Sequence, residues 1–536
     1  MVLESGADLT FEIVSGTEDA AKLVMAWRND PETLKQSFHQ EPKNWPEFHR
    51  EFVEEYLKDS SVPCLFALAD GKRVGFLRFR RVIDSANPRC RTADVSINVA
   101  PEERGKGYGS RMLKGMTHIL RGLGLSALWA EIKVDNSRSR AIFEKAGFEY
   151  VGEYGHAVDD SGEKLRVNRF KLDLVKPAIV ESKSECRSIG DGFPCFIIAE
   201  AGSNWRVGSP ERDREMARSL VDIAKESGCD AVKFQTYRPE TTYVANAGES
   251  EYLAENGYKR PISEIFADLA MPYEMLQDLA DYCESQQILF MSSAFSVRDF
   301  EEVDRFSRIH KIASYEITHT RLLEAAARAD KPLILSTGAS DIEDISFAVD
   351  MLKNSMRADL CLMQCTASYP APIDSMNLES IRWMKQFYGV PVGLSDHSRD
   401  SSLIPAAAVA VGANLIEKHF TVSNYLFGPD HKFALEPREL KTMVQSIRTV
   451  EEALGDGIKR VLSVEEELYQ FARRGLQATK DIDRGVVFKE GENFDILRSG
   501  KQKLGMHPRN MAILQSARAN RFIPAGEGIN EADVEL

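Results

Sequence analysis

The sequence predicts an α/β protein built around a TIM-type (β/α)8 barrel, and two patterns between residues 192 and 455 carry that expectation. First, short apolar runs recur at Phe196–Glu200, Ala231–Thr236, Leu289–Phe295, Ile309–Ser314, Pro332–Thr337, Asp359–Thr366, Pro391–Asp396 and Asn414–Phe420. Near-continuous apolar strands are what a parallel sheet covered on both faces requires. Second, the segments between them carry helical spacing, as in Met216, Leu220 and Ile223, or Leu440, Met443, Ile447 and Val450. Eight such units fit a closed barrel of about 250 residues better than a doubly wound open sheet, the competing arrangement.

Two further blocks flank this one. Residues 8–175 mix strands and helices: Thr92–Val99 alternates polar and apolar residues like a half-buried strand, Pro101 ends it, a Gly-rich turn follows, and Ser110–Arg121 reads as a helix. Val175–Asp191, polar and containing Pro177 and Gly190, reads as a linker. In residues 475–536, turn signals such as Asp483-Arg484-Gly485 and Pro524-Ala525-Gly526 separate short hydrophobic pieces. A core of that size is marginal alone.

The chain of 536 residues carries 82 acidic and 68 basic side chains, a net charge of −14. That balance excludes a general binder of nucleic acid or anionic membranes. The most apolar stretch, Leu403–Ile416, is interrupted by Pro405 and Gly412 and is too short to span a bilayer. Met1–Thr10 contains acidic residues and no apolar run, so no signal peptide is expected. Eight scattered cysteines then read as reduced thiols of a cytoplasmic protein.

Arg104-Gly105-Lys106-Gly107-Tyr108-Gly109-Ser110 stands between a strand and a helix. Glycines there let backbone amides approach an anion, and the helix N-terminus adds its positive dipole end. Arg104, Gly107 and Gly109 match the Arg/Gln-x-x-Gly-x-Gly/Ala signature, and Asn136–Phe148 ends in Gly147-Phe148; on these motifs the block resembles the GNAT N-acetyltransferases. Trp27-Arg28-Asn29-Asp30-Pro31 with Ser37-Phe38 is similar to members that act on amino-sugar nucleotides. The resemblance implies a GNAT fold and acetyl-CoA as cosubstrate. Its pyrophosphate would lie on the amides of Arg104, Gly105, Lys106, Gly107 and Gly109, its pantetheine arm along the strand edge at Val99, and its thiol end near Asn136. Where the family often has a tyrosine acid this chain has Phe143, and neither Tyr108 nor Tyr150 replaces it on sequence grounds; Asp94 and Glu131 are both open as the base.

In the central block, His397 follows the seventh apolar run and His419 closes the eighth. In a barrel both project at the C-terminal face, where active sites form. Two adjacent imidazoles beside carboxylates Glu200 and Asp430 suit a divalent metal acting as Lewis acid; His310, His319 and His431 read as structural. Lys233 and Lys311 stand inside apolar strands, where a cation is costly unless paired. Ser293, Ser314, Ser336, Thr366 and Ser395 collect at the same level, and cations with hydroxyls suit a phosphate and a carboxylate held together.

Ile198–Asn204, Val232–Thr236, Lys311–Ser314, Leu335–Gly338, Cys365-Thr366, Tyr369-Pro370, Gly393–His397, Glu417–Phe420 and Gly428–Asp430 together resemble the sialic acid synthase family. Residues 475–536, with Leu497-Arg498-Ser499-Gly500, resemble its C-terminal antifreeze-like (SAF) domain. The resemblance implies condensation of phosphoenolpyruvate with an acetamido sugar, the enol methylene attacking the aldehyde, water adding to the new cation, and phosphate leaving with its carbon–oxygen bond broken. It makes Glu200, Lys311, His397, His419 and Asp430 the catalytic set, with His397 and His419 binding Mn2+ or Mg2+ and Glu200 managing the proton of the attacking water. Lys311, Ser293, Ser314, Ser336 and Ser395 would hold phosphoenolpyruvate, with Lys233 also substrate-binding; Gln235, Glu316, Tyr369 and Asp430 would orient the sugar, with Phe471 at its edge. Arg498 would reach the sugar in a neighbouring subunit's site, which implies a homodimer with swapped SAF domains.

Two departures stand out. Trp205 occupies a position where the family usually has histidine, and Ala367 replaces an asparagine of sialic acid members, which points away from N-acetylmannosamine. Two enzyme modules on one chain then suggest a bifunctional enzyme of nonulosonic acid biosynthesis, of the pseudaminic or legionaminic type. The alternative is an N-acetylneuraminate synthase using N-acetylmannosamine, with the first block a non-catalytic acyl-CoA sensor or scaffold.

Overall fold

The computed structural model describes residues 2–4, 9–38, 40–59, 61–84, 90–158, 163–181, 186–250, 259–457 and 459–535. They form two compact units, Met1–Asp456 and Gly457–Leu536. The first begins with an eight-stranded sheet: β1 (Val2–Glu4), β2 (Thr10–Ile13), β3 (Leu65–Ala69), β4 (Lys72–Val82), β5 (Thr92–Val99), β6 (Ala127–Lys133), β7 (Glu149–Val158) and β8 (Glu163–Asp173), in the order β1-β2-β3-β4-β5-β6-β8-β7. Helix Tyr108–Gly122 turns Met112, Leu113, Met116, Ile119 and Leu120 onto one face, where they pack with Leu77, Phe79 and Leu128. The other face carries an aromatic core of Trp27, Phe48, Phe52, Tyr56, Phe66 and Phe76. β5 and β6 run parallel but pair only from Thr92↔Ala127 to Asp94↔Trp129. Beyond Asp94 the β6-facing edge of β5 is left without that partner, which opens a cleft between the strands.

Val175–Asp191 is not a linker. Ala178–Glu181 (β9) and Cys186–Ile189 (β10) pair as an antiparallel hairpin, from Ile189↔Ala178 to Cys186↔Glu181; residues 182–185 lie outside the described set. The two strands are only four residues long, and their polar flanks hide an inward set of Ala178, Val180 and Ile189, all fully buried.

That hairpin closes the N-terminal end of a barrel with the expected eight parallel strands: β11 (Phe196–Gly202), β12 (Ala231–Thr236), β13 (Leu289–Ala294), β14 (His310–Ile312), β15 (Leu333–Ser336), β16 (Leu360–Cys365), β17 (Val392–Asp396) and β18 (Leu415–His419). Successive strand residues face opposite sides. Outward residues such as Ile197, Ala199, Val232 and Phe234 join the helices in one large core. Inward, the lower layer is apolar (Phe196, Ile198, Ala231, Met291, Ile309, Ile334, Met363, Leu415) and packs on the hairpin. Two residues further along the same strands the inward set becomes Glu200, Lys233, Ser293, Lys311, Ser336, Cys365 and Glu417, so the packed floor supports a polar mouth.

The first sheet joins the barrel at its N-terminal end, around Asp191. Its carboxylate accepts hydrogen bonds from Lys385 Nζ (2.7 Å), Asn414 Nδ2 (3.0 Å) and Ser126 Oγ (3.0 Å), linking both parts of the unit. Nearby, Arg121 Nε donates to the Leu174 carbonyl (2.6 Å), and its guanidinium lies against Gly389, where a Cβ would come within 2.8 Å of it.

In the second unit, described by itself, β19 (Arg474–Ala478) pairs antiparallel with β20 (Phe494–Arg498), and β21 (Arg518–Ala519) with β22 (Val534–Glu535). Leu476, Ile482, Phe488, Phe494, Leu514, Ile523 and Ile529 form its core. Among the described residues no helix is long and apolar enough to cross a membrane.

The Asp191 junction makes a prediction. Asp191→Asn keeps the shape but removes the charge facing Lys385, and should cost about 1–3 kcal/mol. All five tryptophans lie between residues 27 and 383, so urea unfolding followed by their fluorescence reads the first unit alone. An unchanged midpoint would show that the contact contributes nothing.

Candidate active sites

The barrel mouth holds a cavity of about 510 Å3. All the barrel residues singled out from the sequence as catalytic or substrate-binding line it: Glu200, Lys233, Gln235, Ser293, Lys311, Ser314, Glu316, Ser336, Tyr369, Ser395, His397, His419 and Asp430. Strand register explains the convergence, since Glu200 stands opposite Lys233 on one side and His419 on the other, and Ser293 stands opposite Lys311.

Two lysines and two carboxylates form its base. Lys233 Nζ lies 2.5 Å from Glu200 Oε2 and donates to Ser293 Oγ (2.9 Å); Lys311 Nζ donates to Glu417 Oε1 (2.9 Å), which also accepts from Ser395 Oγ (3.1 Å). Glu417 Oε2 lies 3.7 Å from Lys233 and so joins the two pairs. Gln235 Nε2 donates to the other oxygen of Glu200 (3.0 Å). Burial pushes Glu200 up to about 7 against the opposing pull of Lys233. Burial would also raise Glu417, but the two lysine cations outweigh it and hold that carboxyl down. Burial holds Lys311 below the usual lysine range, whereas Glu200 and Glu417 overcome the same effect at Lys233 and raise it.

The imidazoles stand beside this cluster, ring centroids 5.6 Å apart. The carbonyl of Thr366 can only accept, so at 2.8 Å it places the proton of His397 on Nδ1 and leaves the Nε2 lone pair available. His419 Nδ1 is buried with no hydrogen-bond partner, 3.7 Å from Asp430 Oδ2. Burial lowers His397 to about 4, and burial helped by His397 holds His419 well below the usual imidazole range, so both rings are neutral at pH 7. Two neutral imidazoles, one oriented by a backbone carbonyl, fit a divalent cation whose other positions are filled by oxygen donors. Among the described residues no cluster of three or more His, Cys, Asp or Glu is arranged to hold a metal by itself.

Burial lifts Asp430 to about 6 and Glu316 to about 8. Gly202, at φ +53°, allows the approach of Asp430, whose Oδ2 a Cβ there would meet at 2.8 Å. Tyr369 stacks on His397, with centroids 4.1 Å apart. Trp205 packs in the outer core, and neither it nor Ala367 lines the cavity. His310 is hydrogen-bonded to Asp304 (2.8 Å), His431 to Thr421 (2.6 Å), and His319 accepts from Leu322 N as a helix cap (3.3 Å). Arg498, on β20 of the C-terminal unit, and Phe471 are exposed.

Sequence reasoning missed Glu417, although two positions before His419 on a strand places it on the same inward face. It also missed the fully buried pair Lys418–Asp396 (2.6 Å) on the outward face, which ties together the strand ends carrying His419 and His397.

The first sheet has a cavity of its own, about 800 Å3, in the cleft between β5 and β6. Val99, Arg104, Gly105, Gly107, Gly109 and Asn136 line it; Lys106 does not, its Nζ being 2.7 Å from Glu103. Gly107, at φ +80°, precedes helix Tyr108–Gly122, whose N-terminus has no side-chain cap and presents its amides to the cleft. The Arg104 side chain is held by Asp30 (2.5 Å) and Glu32 (3.0 Å), leaving its backbone to face the cavity. Asn136 caps helix Ser137–Lys145 by accepting from Ser139 N (3.0 Å). Phe143 packs edge-on against Phe148, centroids 4.9 Å apart. Asp94 and Glu131 both line the cavity; Asp94 pairs through Oδ2 with Arg80 (2.9 Å), its Oδ1 is buried without a partner, and burial raises its pKa.

Comparison with known proteins identifies the families of both regions. The acetyltransferase (GNAT) domain profile matches residues 9–149, and the NeuB family profile matches residues 220–459. The spore coat polysaccharide biosynthesis protein SpsE of Bacillus subtilis is 37% identical over 366 residues, 65% of this chain and 96% of that protein. Pseudaminic acid synthase of Campylobacter jejuni is 36% identical over 344 residues, covering 63% and 96%. N,N'-diacetyllegionaminic acid synthase of Legionella pneumophila is 35% identical over 349 residues, covering 63% and 94%.

The protonation of Glu316 has a measurable consequence. A carboxyl raised to about 8 in the folded state stabilises fully below its unfolded value, and that contribution is lost as pH rises through 8. Glu316→Gln should therefore flatten the fall in stability between about pH 4.5 and 8, by a few kcal/mol at most. Parallel pH profiles of the denaturation midpoint for the two proteins would contradict this.

Proposed function

The chain belongs to the NeuB family and carries an N-terminal acetyltransferase (GNAT) domain, and from that premise we propose a bifunctional enzyme of nonulosonic acid biosynthesis. The barrel condenses phosphoenolpyruvate with a diacetamido-trideoxyhexose to an acid of the pseudaminic or legionaminic type, releasing phosphate. The GNAT domain acetylates an amino-sugar precursor from acetyl-CoA. The observation that carries the barrel reading is one cavity with two buried lysines at its base and two neutral imidazoles beside them.

In this mechanism Lys233 and Lys311, with Ser293, Ser314, Ser336 and Ser395, receive the phosphate and carboxylate of phosphoenolpyruvate as charge-assisted hydrogen-bond donors. Gln235, Glu316, Tyr369 and Asp430 orient the open-chain sugar. His397 and His419 would hold a divalent cation, Mn2+ or Mg2+, which when bound supplies Lewis-acid polarisation of the aldehyde oxygen. The enol methylene attacks the aldehyde carbon, and water adds to the resulting cationic carbon. Glu200, poised near neutrality, accepts the proton of that water while the former aldehyde oxygen is protonated to a hydroxyl; the carbon–oxygen bond to phosphate then breaks as the hydroxyl gained from water loses its proton and becomes the ketone. At the GNAT cleft, the amides at 104–109 receive the pyrophosphate of acetyl-CoA, and Asp94 takes the proton from the attacking amine. We further assign the C-terminal unit as a SAF-type domain whose Arg498 contacts the sugar of a second subunit in a swapped homodimer, and the cytoplasm as the enzyme's compartment.

Purified protein with Mn2+ and phosphoenolpyruvate should release phosphate in the presence of a diacetamido-trideoxyhexose; none with any such sugar sinks the barrel reading. His397→Ala should lower that rate by at least about 100-fold and leave acetyl transfer intact, whereas equal loss of both activities would contradict two separate sites. Asp94→Asn should reduce kcat for acetyl transfer by about 100-fold with the KM for acetyl-CoA unchanged. An unaltered kcat would remove Asp94 from the base role.

A further inference from the structure

One wall of the barrel cavity has no part in the chemistry assigned above. Between β12 and helix Glu274–Ser285, the described residues 237–250 and 259–272 contribute to this wall. Here Tyr237, Ile265 and Leu269 are buried together, with Phe266 and Phe295 packed against them, as an apolar cluster separate from the barrel core. The Tyr237 ring lies 4.5 Å from that of Phe266 and 5.4 Å from that of Phe295, and Tyr243 closes the edge 5.0 Å from Phe266. All of these side chains face the cavity. Two of the wall's hydroxyls are already committed: Tyr237 Oη donates to the Leu269 carbonyl (3.3 Å) and Thr242 Oγ1 to the Arg238 carbonyl (2.8 Å). Phe266 and Phe295 are only half-buried and Tyr243 is 42% exposed, so apolar surface remains available for contact.

The wall rises from β12 and β13; β13 stands opposite β17, whose end carries His397, whereas β12 is separated from β18, whose end carries His419, by β11 alone. A sugar with its aldehyde carbon beside His397 can therefore extend its far carbons across the mouth toward Phe295 and the wall it belongs to. Resting on the synthase reading of the barrel, we propose that Tyr243, Phe266 and Phe295 form a subsite for the apolar end of the sugar, taking a deoxy methyl carbon and the methyl of an N-acyl group. A hydroxyl placed against the rings of Phe266 and Phe295 loses water and gains no partner from either, whereas a methyl group there gains by leaving water. The wall thus selects a deoxy, N-acylated hexose over a hydroxyl-rich one by about 10- to 100-fold.

The test is phosphate release by the full chain with Mn2+ and phosphoenolpyruvate, comparing kcat/KM for stereoisomers of diacetamido-trideoxyhexose with that for N-acetylmannosamine. The wild-type protein should prefer a trideoxy sugar. Phe266→Ser should reduce that preference about tenfold through the sugar KM, with the KM for phosphoenolpyruvate unchanged, and Phe266→Leu should restore it. If Phe266→Ser slows both sugars equally, or the ratio does not move, the subsite is refuted while the synthase reading stands. Wild-type protein that releases phosphate with neither sugar overturns the synthase reading and the subsite with it.

Discussion

Two lysine cations held inside a closed barrel are the constraint on which the rest of the barrel depends. Lys233 and Lys311 are about as buried as the core around them, and a charge in that position is tolerated only with hydrogen-bonded partners of opposite sign. Glu200 and Glu417 meet that need from the inward faces of β11 and β18. The requirement fixes several sequence positions together. Inward residues must turn from apolar to ionic within two positions on β11, β12 and β18, and the register must set Glu200 against Lys233. Beneath them the apolar layer and the hairpin close the floor, which keeps water away from one side of the ion cluster. An entering dianion then meets cations whose positions are already set by the fold.

The two cavities differ in how they gather charge. The barrel uses side chains, and strand register places Lys233, Lys311, Ser293, Ser336 and Ser395. The first sheet uses backbone: a left-handed Gly107, an uncapped helix end and a strand pairing that stops at Asp94. Their arrangement in the unit matters for function. The first sheet joins the barrel at its N-terminal end, through Asp191, while the barrel cavity opens at the C-terminal end beyond a packed floor. The packed floor of the barrel thus lies between this junction and the barrel cavity.

Much of this was legible in the sequence, for identifiable reasons. The eight apolar runs announced the barrel because a parallel strand buried on both faces has almost no polar residue to confuse it. Lys233 and Lys311 stood out because a cation inside an apolar run is unusual, and His397 and His419 because a titratable residue closes or follows such a run. The hairpin of β9 and β10 was not legible, since two four-residue strands within a polar stretch have too little periodicity to separate from a linker. Glu417 was read only as a flank of His419; its role as the anion shared by both lysines depends on which strands are neighbours. Trp205, at a position where the family usually has histidine, is a core residue, because the chain turns outward after β11. Asn136 was assigned to the cofactor by resemblance, and the structure gives it a helix to cap as well.

The central claim is that this ion cluster holds phosphoenolpyruvate while water attacks its enol carbon and the carbon–oxygen bond breaks. Phosphoenolpyruvate labelled with heavy oxygen at the ester bridge tests it directly, by mass spectrometry of the released phosphate. The account predicts that the label leaves with phosphate. Label retained in the sugar acid would mean phosphorus–oxygen cleavage and would contradict the mechanism built on Glu200, Lys233 and Lys311.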